Sequence, residues 1–396
     1  MTKIYVVRHA EAEGNLYRRV QGCYDGQVSP LGRIQLQALA ERFRSIQIDA
    51  IYSSDLTRAV VTAGAIAETH GLPIITTPAL REVYMGIWED RPWGNVTYDD
   101  PEGYQHFSKD PDRWSVDGCE PFPALAKRIT GAVAAIASRH DGQTIVVASH
   151  GMAIRTLLSA VMGIRSEDIS VMPHGDNTSV SLLTYDGTSL HVEYHNDNSH
   201  LGAEYSTFAK QTWWKTSSGI DYNNLRFVPI SECGGRDLYV SCYRDAWIYA
   251  HGSDSGFMPE LYWQSALRHI KKHPEAVMAG LCNDETAGII DLDIERAASD
   301  GVGWISLCYI APEYRGQRMA VQLIGHAVSL YKALGRKCLR LHVSELNSHA
   351  IDIYTHYGFE RIGCKSGVSS SVYLMEKPLF FNEPAFDMAA PLEGTL

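Results

Sequence analysis

An arginine beside a histidine, Arg8-His9, closes a short apolar run at residues 4–7, and a second histidine, His150, closes another at residues 144–148. Arg58 stands just beyond a third run, residues 49–52, which ends in Ser53-Ser54-Asp55. Two imidazoles and two guanidiniums suit a metal ion poorly, because arginine repels a cation. Its planar fork matches phosphate oxygens instead. The chemistry these groups permit is phosphoryl transfer. One imidazole attacks phosphorus and becomes a phosphohistidine, while the arginines and the other imidazole offset charge on the equatorial oxygens. The departing oxygen needs a proton, and Glu82, in Leu80-Arg81-Glu82, is the acid to supply it.

For these side chains to meet, their strands must be parallel neighbours. The runs at 4–7, 49–52, 74–75 and 144–148 are short and apolar, as strands covered on both faces are. Helical patterns fill 33–44, 56–69, 123–138 and 151–162. Residues 11–32 read as a long loop punctuated by Gly14, Gly22, Gly26 and Pro30, and 86–122 as a loop-rich cap. Two antiparallel strands follow at 179–185 and 189–195. This alternation predicts a three-layer α/β/α domain with a mostly parallel sheet. The carboxyl ends of its strands then share one edge, where such folds bind ligands.

Arg8-His9-Ala10-Glu11 with Asn15, Gln21-Gly22, Ser53 to Ala59, Leu80-Arg81-Glu82 and Ser149-His150-Gly151 together resemble the histidine phosphatase superfamily, which includes the cofactor-dependent phosphoglycerate mutases. The resemblance covers residues 1–200. It implies a phosphoglycerate mutase-like fold, His9 as phosphoryl acceptor and Glu82 as general acid, then base. Arg8, Asn15, Gln21, Gly22, Arg58, His150 and Gly151 would hold the phosphoryl oxygens, with no metal required. Ala10 stands where the family usually has glycine, a departure of one methyl. His174 sits in a loop before a strand and reads as a surface histidine rather than a pocket residue. Between hydrolase and mutase the sequence favours the hydrolase. The segment from Glu82 to His150 offers only Arg91, Lys109, Arg113, Lys127, Arg128 and Arg139 to hold the second phosphate a mutase needs.

The pattern breaks between residues 200 and 224, and the domain boundary is placed near 220, giving domains at 1–220 and 221–396. Trp213-Trp214 reads as an interdomain packing plug. Beyond it come strands at 224–229, 286–294, 302–310 and 339–344, and helices at 259–272, 321–334 and 347–357. The basic turn Arg315-Gly316-Gln317-Arg318-Met319-Ala320 feeds a helix start. That is an anion site in principle, or simply a solvated face. With Asn347 to Tyr354 and Tyr357-Gly358-Phe359, residues 225–379 resemble a GCN5-related N-acetyltransferase (GNAT) with a mixed-sheet α+β fold. The resemblance implies acetyl-CoA as co-substrate. Arg315 to Ala320 would cradle its pyrophosphate, Tyr309 and Ile310 would pair with the pantetheine, and Asn347 would contact the cofactor. Tyr354 would protonate the thiolate, or else be a core tyrosine. Arg318 replaces a favoured glycine, at a helix start where its dihedrals are expected to be permitted. Glu232, Asp291 and Glu345 are unranked candidates for the base.

A net charge of −11 argues against binding nucleic acid, and no apolar run is long enough to span a bilayer. With the first strand starting at once there is no room for a signal peptide, and eight scattered cysteines read as reduced core thiols, so a cytoplasmic setting is expected. The sequence predicts a bifunctional enzyme acting on a small phosphomonoester and a small amine. The rivals are a mutase joined to a transferase, and a phosphatase governed by a non-catalytic acyl-CoA-binding module. Oligomeric state is left open.

Overall fold

The computed structural model describes residues 1–211, 221, 223–367 and 370–379, together with the backbone of Met388 and Ala389. In the first lobe the elements run β1 (Thr2–Arg8), α1 (Glu13–Tyr17), α2 (Pro30–Phe43), β2 (Ala50–Ser53), α3 (Thr57–His70), β3 (Ile74–Thr76), α4 (Trp93–Asp99), α5 (Pro101–Lys109), α6 (Phe122–Ala137), β4 (Thr144–Ser149), α7 (Gly151–Val161), β5 (Val180–Tyr185) and β6 (Leu190–Asp197). The sheet order is β3-β2-β4-β1-β5-β6. β1, β2, β3 and β4 are mutually parallel, while β5 and β6 are antiparallel. Ile4 and Val6 face a core built with Leu125, Ile129, Val133 and Leu157 of α6 and α7. Val7 faces the other, with Leu39, Phe43, Val60 and Ile66 of α2 and α3. Each side chain so buried contributes roughly 1.5–3 kcal/mol, which fixes the strand register. Arg8 then lies opposite Ser149, and Ser53 opposite Ala148, so His9, Ser54 and His150 leave the sheet at one edge.

The second lobe continues with β7 (Arg226–Pro229), α8 (Gly235–His251), α9 (Pro259–Lys272), β8 (Val277–Cys282), β9 (Glu285–Asp293), β10 (Val302–Ile310), α10 (Ala320–Ala333), β11 (Cys338–Ser344), α11 (Ser348–His356), β12 (Glu360–Ser366) and β13 (Ser371–Pro378). Its mixed sheet runs β12-β13-β11-β10-β9-β8-β7, with α8 and α9 packed on one face and α10 and α11 on the other. β10 and β11 are parallel and paired only from Val302 to Ile305. A bulge follows, and the two strands then part.

Several expectations need correction. The stretch 11–32 contains α1, and the cap at 86–122 carries α4 and α5 rather than loop alone. α8, β8, β12 and β13 were not foreseen. The backbone of β14 (Met388–Ala389) pairs parallel with β3, so these two residues join the first sheet. Of the cysteines, only Cys242 and Cys282 are buried, and Cys364 is exposed. Trp213-Trp214 lies outside the described residues. The lobes touch, with Tyr17 of α1 buried in the apolar core of the second lobe.

Candidate active site

His9 is the first residue past β1 and is buried. Its Nδ1 lies 2.7 Å from the carbonyl oxygen of Ala10, which only a protonated Nδ1 can satisfy. That hydrogen bond leaves the lone pair on Nε2. The carbonyl comes from the residue where a methyl replaces hydrogen, and the methyl is taken up in a small cluster with Val28 and Leu36. Burial, with Arg58 and Arg8 close by, holds His9 well below the usual imidazole value, so the ring is neutral and nucleophilic.

His150 caps α7 with its ring 5.2 Å from that of His9, centroid to centroid. It is completely buried, and neither ring nitrogen has a hydrogen-bond partner. Arg58 enters from the first turn of α3, also completely buried. Its Nη1 and Nη2 donate to the carbonyls of Tyr24 (2.8 Å) and Gly22 (2.6 Å), while Nε has no partner. Burial pushes its pKa down to about 10. Arg8 donates through Nη1 to the carbonyl of Gly175 at 2.5 Å, and its Nε too is orphaned. Gly151 packs closely beside it, since a Cβ there would sit 3.2 Å from that Nε. Four buried nitrogens around His9 are thus left without partners, and three of them, the two arginine Nε–H groups and the single N–H of a neutral His150, are donors that an anion would satisfy.

Glu82 is placed by the N-terminus of α7. Its Oε2 accepts from the amide of Met152 at 2.9 Å, and its Oε1 from those of Ala153 (2.8 Å) and Val83 (3.0 Å). Those bonds favour the carboxylate, but burial outweighs them and the pKa is raised. Glu82, Arg8 and His9 share a cavity of about 610 Å³ with Trp93, Tyr104 and Phe107 of the cap. Asn15 and Gln21 line it, and the Gln21 side-chain nitrogen is unpartnered. Gly22 contributes its carbonyl to Arg58 instead.

His174 is corrected: it lines the cavity, and burial beside Arg155 and Arg8 holds it well below its usual pKa. Asn177 was missed. Its Nδ2 donates to the backbone carbonyl of His9 at 2.9 Å. The antiparallel pairing of β5 with β1 carries the residues before β5 to the edge where β1 ends, which is the signal that could have found both.

In the second lobe the turn before α10 is present, and Arg318 adopts φ +60°, a left-handed conformation. The expectation of ordinary dihedrals is therefore wrong: this turn needs the conformation that glycine supplies freely. Arg315 is directed to the carbonyl of Ile310 (3.0 Å) and to Asp245 (3.3 Å), which also accepts from Tyr309 at 2.9 Å. Gln317 bonds the Glu313 carbonyl, and Met319 is buried. Asn347 caps α11 by accepting from the amide of Ala350 at 3.1 Å. Tyr354 is pushed well above its usual pKa by burial and by the neighbouring Cys308 of β10, which lies in the half of that strand that has left β11. Asp291 is engaged by Tyr239 and His269, both at 2.6 Å, whereas Glu232 and Glu345 are exposed. The parted strands and the turn are what could hold a coenzyme. Among the described residues no three His, Cys, Asp or Glu side chains gather as a metal-binding group.

The profile of the histidine phosphatase superfamily (branch 1) matches residues 4–198, and that of the acetyltransferase (GNAT) family matches residues 236–359. Phosphoserine phosphatase 1 of Hydrogenobacter thermophilus is 32% identical over 207 residues, covering 52% of this chain and 97% of its own. Phosphoglycerate mutase-like protein 4 of Arabidopsis thaliana is 36% identical over 205 residues, covering 50% of this chain and 86% of its own. Among solved structures, Bacillus stearothermophilus YhfR is 31% identical, covering 50% of this chain and 99% of its own, with a TM-score of 0.49.

Proposed function

Because the chain belongs to the histidine phosphatase superfamily and carries a GNAT-family domain behind that lobe, we propose that it is a bifunctional enzyme. The first lobe hydrolyses a small phosphomonoester through a phosphohistidine, and the second transfers an acetyl group from acetyl-CoA to a small amine. We divide the domains at about residue 220 and infer a cytoplasmic setting, which the scattered spacing of the eight cysteines favours.

The observation that carries the hydrolase reading is the ring of four orphaned nitrogens on Arg8, Arg58 and His150 around a neutral His9. His9 Nε2 attacks phosphorus, and the P–O bond to the alcohol breaks as Glu82 gives its proton to the leaving oxygen. Glu82, now a carboxylate, takes a proton from water as that water attacks the phosphohistidine. Inorganic phosphate leaves and His9 is regenerated. The arginines and His150 hold the three oxygens throughout.

Hydrolase is favoured over mutase because four of the further cations are already paired with acids, although Lys109 and Arg155 also line the cavity. Arg91 pairs with Asp99, Arg128 with Glu120, Arg18 with Asp221 and Arg19 with Asp90. In the second lobe, the parting of β10 from β11 beside the basic turn supports coenzyme binding.

The test is phosphate release from a panel of monoesters by the wild type and His9→Ala. We expect release to vanish in the variant while acetyl-CoA binding persists. Near-normal release by His9→Ala, or rapid interconversion of phosphoglycerates without any free phosphate, would sink the hydrolase reading.

A further inference from the structure

α1 is five residues long, and two different parts of the molecule use it. Gly14 and Asn15, with Arg18, Arg19 and Gln21 just after it, line the cavity. Tyr17 is instead buried in the second lobe's core with Leu323, Ile324 and Ala327 of α10. So short a helix has no stability of its own, and its place is set by whatever it packs against.

That partner is α10, and the fit is close. A Cβ on Gly325 would collide with the Tyr17 side chain, so only glycine permits the crossing. One turn on, Ser329 accepts from Arg19 Nη2 at 2.8 Å and donates to Asp90, which itself binds Arg19 Nε at 2.8 Å. In the last turn, Lys332 Nζ holds Glu13 Oε2 at 2.6 Å, with both side chains largely out of water. None of Gly325, Ser329 and Lys332 lines the cavity.

We infer that α10 of the acetyltransferase-type lobe is a positioning element for the phosphatase site: through Gly325, Ser329 and Lys332 it fixes Asn15, Arg19 and Gln21 on the cavity rim. The inference rests on reading that cavity as a phosphomonoester site. The rim helps to hold the ester beside His9, so loosening α10 displaces the rim and weakens that hold. His9 itself is untouched.

Steady-state kinetics on the full-length chain decide it, with para-nitrophenyl phosphate as substrate. Lys332→Met and Ser329→Ala should each lower kcat/KM by about 10- to 100-fold, the range expected for a small remote misplacement. Most of the loss should appear in KM. Lys332→Arg should recover most of it, and the fraction of His9 trapped as phosphoenzyme should stay at the wild-type level. A merely structural role would lower the melting temperature and leave kcat/KM of the folded protein unchanged, and that result overturns the inference. If Lys332→Met does not fold, Ser329→Ala decides. If the wild type releases phosphate from no ester, the phosphatase reading is what has failed. Positioning is then read from inorganic phosphate titrated against tryptophan fluorescence: weaker binding in the variants supports it, and equal affinities overturn it.

Discussion

In the proposed reaction Glu82 must hold a proton when the ester arrives and be able to take one back, and its surroundings pull in both directions. Three amides favour the carboxylate, yet burial prevails and raises the pKa above the usual 4.5. His9 is moved the other way, below 6.5, by burial and two guanidiniums. Activity needs His9 neutral and Glu82 protonated. The acid limb of kcat/KM should therefore fall below pH 6.5, and the alkaline limb should follow loss of the Glu82 proton. Glu82→Gln should remove the alkaline limb and slow hydrolysis of an alkyl phosphate by about 10²- to 10⁴-fold, the usual worth of a general acid. Para-nitrophenyl phosphate, whose leaving group needs little help, should suffer far less, and a pH–rate series on both substrates checks this. Equal losses on the two esters would argue against an acid role. These two residues were legible because each sits inside a contiguous motif, His9 at the end of β1 and Glu82 in the loop that follows β3. His174 and Asn177 were not, because neither has a local signature and only the pairing of β5 with β1 delivers them.

Whether an element could be read depended on whether its own residues announced it. α2 begins at Ser29-Pro30, where the serine side chain accepts from the Gly32 amide, and its start was legible. α8 opens after Gly234 at φ +119° with no side-chain cap, and α1 opens after Ala12, so neither carries a start signal. β8 is buried on every residue and shows no alternation by which to recognise it. The turn into α10 is where local preference and structure disagree. Arg318 at φ +60° costs about 1–2 kcal/mol as a left-handed L-residue, against roughly 0.5–1 kcal/mol of extra chain entropy lost by a glycine. The first exceeds the second, so Arg318→Gly should stabilise the protein by about 0.5–1 kcal/mol, readable in urea midpoints. If this turn binds the proposed acetyl-CoA, its affinity, followed by calorimetry, should be retained or increased, because the backbone amides of the turn are kept while its strain is relieved. A destabilised variant would mean that the Arg318 side chain contributes more than its backbone costs.

At the scale of the molecule, composition and the motif break near residue 220 predict two domains but say nothing of how tightly they are joined. The join is made by side chains more than 200 residues apart in sequence, such as Arg18 with Asp221 and Lys332 with Glu13. No periodicity encodes such pairs. Lys332 and Glu13 are both largely shielded from water, and removing one partner from a buried pair typically costs about 3–5 kcal/mol, since the other charge is stranded. Tyr17 adds apolar surface that neither lobe could bury alone. Two domains coupled by several kcal/mol unfold together, so scanning calorimetry of the wild type should show one transition. In Lys332→Met that coupling is largely withdrawn, and the transition should fall by several degrees and broaden or split into two, since about 1 kcal/mol is worth roughly 2–4 °C in domains of this size. Two resolved transitions in the wild type would mean that the lobes are stable independently. The contacts between α1 and α10 could then hold the rim in place only while both lobes remain folded, and would add nothing to the stability of either.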